Sequence, residues 1–159
     1  MVLDLVEIHF LKFRVSEADL NQLANKTFSW PDAIRNVRFS IVPEGIQVIG
    51  TYKQIIAIPI YVLWQVSVCE GKLVARIQRL KTGFLSLGFL KLYLLNLIAA
   101  ATGIAIRDAM LILDLDALLA DKGWPVRVNL TSISFNYGSL VLESYAPGSL
   151  HEAEAISRK

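Results

Sequence analysis

FLSLGFLKLYLLNLIAAATGIAI, from Phe84 to Ile106, is the stretch on which the reading of this chain turns. Leu, Ala, Lys and Asn fill its middle, and β-branched residues return only at Ile98 and after Thr102. Unbranched and γ-branched side chains lose little rotamer freedom in a helix, so the composition predicts helix from about Leu85 to Ala101. Leu87, Leu90, Leu94 and Leu97 fall on one stripe, with Phe89, Leu92, Leu95 and Ala99 on others; Lys91 is the only formal charge. A helix that is apolar on nearly every side is wrapped by protein, buried in lipid, or shared between the two.

Hydropathy leaves those alternatives open. The stretch is long enough to cross a bilayer. Roughly a dozen Leu, Ile and Phe contribute about −0.3 to −0.6 kcal/mol each, against about +2.5 to +3.5 kcal/mol for a central charge. Lys91, Asn96, Ser86 and two glycines bring that sum close to balance. The flanks argue for a core helix, because alternating strand patterns lie on both sides of it and no loop-plus-anchor arrangement does. A transmembrane helix and an interfacial, lipid-contacting helix are the alternatives.

Outward from the helix, the chain is 54% hydrophobic and only 19% charged, so it has more apolar side chains than an ordinary domain needs. A net charge of +2 argues against a dedicated nucleic-acid binder. The single Cys69 rules out an internal disulfide and makes a Cys-based zinc site implausible. At 159 residues the simplest organisation is one domain, residues 1–145, followed by a flexible tail, 146–159. Asp4, Glu7 and His9 interrupt any apolar run near Met1. As the sequence stands it therefore reads as cytoplasmic, with peripheral membrane association open.

In order, Val2 to Val15 reads as a strand whose apolar phase slips, which means a bulge or burial on both faces. Ser16 caps a helix with Asp19 near its first amides, and Leu20, Leu23, Ala24 and Phe28 form its inward face before Trp30-Pro31 closes it. Arg35 to Val42 and Ile46 to Lys53 form a hairpin about Pro43-Glu44-Gly45. Ile56 to Cys69 is a long strand with Ile58, Ile60, Val62, Trp64, Val66 and Val68 on one face; Pro59 suggests an edge or a bulge. Glu70-Gly71 turns it into Lys72 to Lys81. After the apolar helix come a short strand, Ala109 to Leu113, and a helix from Leu115 to Asp121 capped by Asp114 or Asp116 and stopped by Gly123. Two strands close the pattern: Val126 to Phe135, with a phase slip near Ser132, and Ser139 to Tyr145 beyond the turn at Asn136-Tyr137-Gly138.

The order strand, capped helix, Trp-Pro, strand, Gly turn, strand occurs twice, from Phe13 and from Leu111, so coincidence among hairpins and an internal duplication are both open readings. The segments VSEADLNQL (Val15 to Leu23), IVPEGIQVIGTYK (Ile41 to Lys53), EGKLVARIQRLKTG (Glu70 to Gly83) and SISFNYGSLVLES (Ser132 to Ser144) resemble the LmeA-like phospholipid-binding domains, which share the general shape of tubular lipid-binding proteins. The resemblance covers most of the chain, through patterns rather than a unique motif. It implies an α+β fold in which a strongly curved antiparallel sheet wraps one long helix around a lipid-accommodating interior. Secreted members begin with a signal peptide, which this chain does not show.

Candidate chemistry is sparse. His9 and His151 are far apart and lack an acid cluster, so no metal site is expected. Asp108, Asp114 and Asp116 read as caps and strand ends rather than as acid–base groups. Ser132 and Ser134 lack a nucleophile elbow, Cys69 sits beside Glu70, and TGFLSLG lacks the Lys-Ser/Thr ending of a P-loop, so no catalytic residue, enzyme or cofactor is expected. What remains is an apolar interior: Leu87, Leu90, Leu94 and Leu97 from the helix facing Trp64, Val66 and Ile77 from the strands. Lys72, Arg76, Arg79 and Lys81 form a basic run that reads either as a solvated face blocking edge pairing or as a patch for anionic headgroups. The expected partner is a phospholipid or fatty acyl ligand, with contact to an anionic membrane and none to nucleic acid. The alternative is a protein-interaction module with a filled core.

Overall fold

The computed structural model describes residues 6–7, 10–53, 55–82, 87–102, 104–124 and 126–145. Its spine is the hairpin of β5 (Ala57–Cys69) and β6 (Lys72–Thr82). The pair Cys69 and Lys72 closes the two-residue loop Glu70-Gly71, and both loop residues have positive φ, 50° and 75°. That backbone twist matches the twist of the flanking strands. Around this hairpin β3 (Ile34–Val42), β4 (Gly45–Lys53), β8 (Met110–Leu113) and β7 (Ala105–Arg107) complete an antiparallel six-stranded sheet, order β3-β4-β5-β6-β8-β7. A second antiparallel sheet, order β10-β11-β2, joins β2 (Phe10–Ser16), β10 (Leu130–Asn136) and β11 (Ser139–Tyr145). A short parallel pair links β1 (Val6–Glu7) to β9 (Val126–Arg127). With α1 (Glu17–Thr27), α2 (Leu87–Thr102) and α3 (Leu115–Asp121), the architecture is α+β with mostly antiparallel sheet.

Two expectations about the centre need correction. The long apolar helix expected between Gly83 and Ile106, from about Leu85 to Ala101, is not seen as such. Helix α2 spans 16 residues, Gly83 to Ser86 lie outside the described residues, and Ala105 and Ile106 belong to strand β7. The sheet is also not strongly curled around that helix. The reason lies in how the apolar face is covered. Helix α2 packs on one half of it, where Leu94 and Leu95 meet Ile60, Val62, Trp64, Ile77 and Leu111. The other half is taken by the three-stranded sheet and α3, through a second core of Ile41, Val128, Leu130, Leu140 and Leu142. Ile46 touches both cores. With two layers sharing the face, no single helix has to be wrapped. Nor is α2 enclosed on every side: Leu95 is fully buried but Leu92 is 58% exposed.

Other details follow the local signals. The strand expected from Val2 to Val15 is divided: β1 and β2 pair in different sheets, and β2 runs against β11 in unbroken register across the slip at Phe10 and Leu11. Pro59 pairs with Thr51 on β4, and the first described pair with β6 is Ile60–Thr82, so the proline sits at the end of the described β5–β6 ladder. Ser16 and Asp19 form a full capping box, and their hydrogen bonds hold the Asp19 carboxyl below the usual carboxylate range. Leu23, expected to face inward on α1, is 61% exposed; Ala24 takes the buried position. The repeated order of elements has a reciprocal topology: β2 joins the hairpin β10-β11, and β8 joins the sheet that holds β3-β4. In each half an acid of the first helical turn accepts from a backbone amide, Ile41 N of β3 donating to Glu17 Oε2 at 3.0 Å and Val128 N, between β9 and β10, to Asp116 Oδ1 at 2.8 Å.

Ser144 on β11 is fully buried, and its hydroxyl has no hydrogen-bond partner among the described residues. An orphaned buried hydroxyl costs about 1–3 kcal/mol. Ser144→Ala is therefore expected to leave stability unchanged or raise it by about 1 kcal/mol in urea denaturation; a clear loss would show that the hydroxyl is satisfied.

Candidate functional site: an apolar cleft

Alternation along β4 and β5 places Ile46 and Val48 beside Trp64 and Val62 on one face of the large sheet, with Ile60 and Val66 continuing the row. This face is the floor of a cleft. One wall is α2 with the residues after it, through Leu94, Ile98 and Ile104. The opposite wall is aromatic, formed by Phe28 and Trp30 after α1 together with Phe39 and Val37 of β3. Between the walls lies a cavity of about 180 Å³, open to one side. Among the described residues its lining is apolar apart from Thr51 and the tryptophan indoles.

The aromatic wall is held in place by a polar clip. The Asn21 side chain of α1 accepts from Phe39 N at 2.9 Å and donates to Phe39 O at 2.7 Å, filling both backbone groups of one strand residue. Phe28 then meets Trp30 edge-on, with centroids 5.5 Å apart, and Phe39 at 6.4 Å. Nearby, Tyr52 of β4 meets Tyr93 of α2 edge-on at 6.2 Å. Desolvation, and then the neighbouring Tyr93, push the Tyr52 phenol up from its ordinary pKa.

The structure places the expected interior residues unevenly. Trp64, Val66 and Leu94 line the cleft. Ile77 is buried in the core beneath α2 and does not line it, and Leu97 is half-buried outside the lining. Leu87 and Leu90 fall in the first turn of α2, and their side chains lie outside the described residues. The aromatic wall was not anticipated. Alternation in β3 shows that Phe39 and Ile41 share a face, but it carries no signal that α1 and Trp30 stand across from α2.

The basic run lies elsewhere. Gln78 is an extra residue between the pairs Leu63–Arg79 and Trp64–Ile77. This bulge shifts the phase of β6, so Lys72, Arg76, Arg79 and Lys81 all project with Leu63 and Tyr61 from the face opposite the cleft. Lys72 is 3.8 Å from Asp114, Arg76 Nε donates to Gln65 Oε1 at 2.8 Å, and Lys81 stands 5.9 Å over the Tyr61 ring. Asp114 also caps α3 by accepting from Ala117 N.

Among the described residues no three His, Cys, Asp or Glu side chains come together to hold a metal; His9 and His151 are outside them. Among the described residues the cleft lining holds no acid, base or thiol, and its apolar surface can take an apolar group out of water. No described helix is long and apolar enough to cross a membrane. No protein-family model, curated protein or solved structure matches the chain.

Proposed function

We propose that the protein binds an apolar ligand, a fatty acyl chain or the acyl part of a phospholipid, in this cleft and without catalysis. The observation that carries the reading is the cavity itself. Protein interiors ordinarily close to crystal-like density, whereas here about 180 Å³ stays open between two apolar walls. The excess of apolar residues and the resemblance to LmeA-like domains support the same reading. The volume also limits it. It is a little above the ~150 Å³ that holds one benzene ring and below the ~300–1,000 Å³ of a drug-sized site. One short acyl segment fits, with the rest of the chain leaving through the open side. At about 0.8 kcal/mol per buried CH₂, six methylenes gain roughly 5 kcal/mol before ordering costs.

Organic extraction of the purified protein followed by mass spectrometry is expected to yield lipid, and a fluorescent fatty acid is expected to be taken up. Ala75 lines the cleft, so Ala75→Phe, which fills it, is expected to lower that uptake about tenfold while costing about 1–3 kcal/mol of stability. If no lipid is extracted and no fatty acid is taken up, the cleft does not bind lipid, and its apolar lining is then a contact surface for another chain.

A further inference from the structure

We propose that the β4–β5 turn is the point at which the protein enters an anionic lipid bilayer, Ile55 and Ile56 inserting while Arg35, Lys53 and Lys81 meet the headgroups. Ile55 is 95% exposed and Ile56 72%. Folding gains almost nothing from either side chain, yet they stand side by side at the tip of a hairpin that the pair Lys53–Ala57 closes. An apolar residue with this exposure gains only when something apolar covers it.

The charges around the turn identify that cover. The pairs Arg35–Thr51, Lys53–Ala57 and Tyr61–Lys81 place three cations on one face of the sheet, at the end that carries the turn. Arg38 and Arg79 continue that face, through the pairs with Ile49 and Leu63. Among the described residues every charged strand position on it is Lys or Arg. The carboxylates Asp32, Glu44, Glu70 and Asp108 lie in turns outside the strands, and Asp114, the cap of α3, stands 3.8 Å from Lys72 at the far end of the face. A protein with a net charge of +2 has thus gathered much of its positive charge on one face of its larger sheet.

An anionic bilayer complements this combination: its headgroups take the cations and its acyl boundary takes the isoleucines. A nucleic acid would use the cations but leave the isoleucines in water, since its bases are held by aromatic stacking. The cleft lining reaches Ile60, three strand positions from Ala57 and roughly 10 Å along the strand. Insertion at the turn would bring the cleft close to lipid, although the docking stands whether or not the cleft is occupied.

The test is co-sedimentation of the full chain with phosphatidylcholine vesicles, with and without phosphatidylserine. Wild type is expected to sediment with the phosphatidylserine vesicles and much less with pure phosphatidylcholine. Ile55→Ser combined with Ile56→Ser is expected to weaken that partition about tenfold. Arg35→Gln, Lys53→Gln and Lys81→Gln together are expected to remove the preference for the anionic lipid, as does added salt. Because all these positions are on the surface, the variants should keep the wild-type circular dichroism spectrum. Ile55→Trp supplies a direct readout: its fluorescence emission is expected to shift to the blue on adding the anionic vesicles. Failure of wild type to sediment, unchanged partition of the Ser variant, an unshifted Trp emission, or equally tight binding of single-stranded DNA would each overturn the proposal. Ala75→Phe is expected to sediment like wild type, so failure of the cleft reading and failure of the docking reading give different results.

Discussion

Gly45→Ala is expected to leave little folded protein, seen as loss of soluble yield or of a cooperative melting transition. Gly45 opens β4 with φ of 146°, a conformation side-chain-bearing residues rarely adopt, and pairs with Val42 across the Pro43-Glu44 loop. A Cβ there would run into the carbonyl oxygen of Trp64, with the carbonyl carbon at 3.1 Å and Gln65 Cα at 3.4 Å. These are backbone atoms of the central strand, and they cannot retreat without breaking the β4–β5 ladder that sets the cleft floor. Backbone strain alone costs about 1–3 kcal/mol. The clash adds to it, against a typical domain stability of about 5–15 kcal/mol. Gly71→Ala is the control, because that glycine has φ of 75° but nothing within 4 Å of its added Cβ. It should lose only about 1–2 kcal/mol. Similar melting temperatures for the two variants would show that β4 and β5 do not approach as described.

The second large effect is expected on α2. Leu94 belongs to the core under the helix and lines the cleft, and Leu95 beside it has no exposed surface. An unpaired carboxylate placed there loses its hydration at a cost of several kcal/mol, comparable with the stability of a whole domain. Leu94→Asp is expected to prevent soluble folding, and Leu95→Asp to do so at least as completely, since Leu94 has a route to water through the cleft. Leu94→Met keeps volume and apolarity and should cost less than about 1.5 kcal/mol. Leu92→Asp, on the exposed side, should be tolerated. If Leu94→Asp and Leu92→Asp express and melt alike, α2 does not pack on the sheet.

These contrasts separate what local sequence could specify from what it could not. The Ser16–Asp19 capping box, the Glu70-Gly71 loop and the row of apolar residues on the cleft face of β5 were all legible, because each rests on residues adjacent in the chain or spaced by a fixed period. Strand β7 was not legible. Its three residues lie at the end of an apolar run and show no alternation, and only pairing with β8 makes them a strand. The basic run on β6 was visible as composition, but the Gln78 bulge decides that all four cations share one face, and the register decides that this face is turned away from the cleft.

By itself the sequence determined that this is an α+β chain of mostly antiparallel strands with an apolar helix set between them. Periodicity states which side chains share a face and where the chain turns. It does not state what covers that face. Only the tertiary structure divided the large sheet's apolar face between α2 and a second sheet, so the sheet had no need to curl around one helix. Only it stood Phe28 and Trp30 across from Leu94 and Ile98, leaving space between them. The physical reason is that burial is set by contacts between residues distant in sequence, to which the local pattern of either partner is blind.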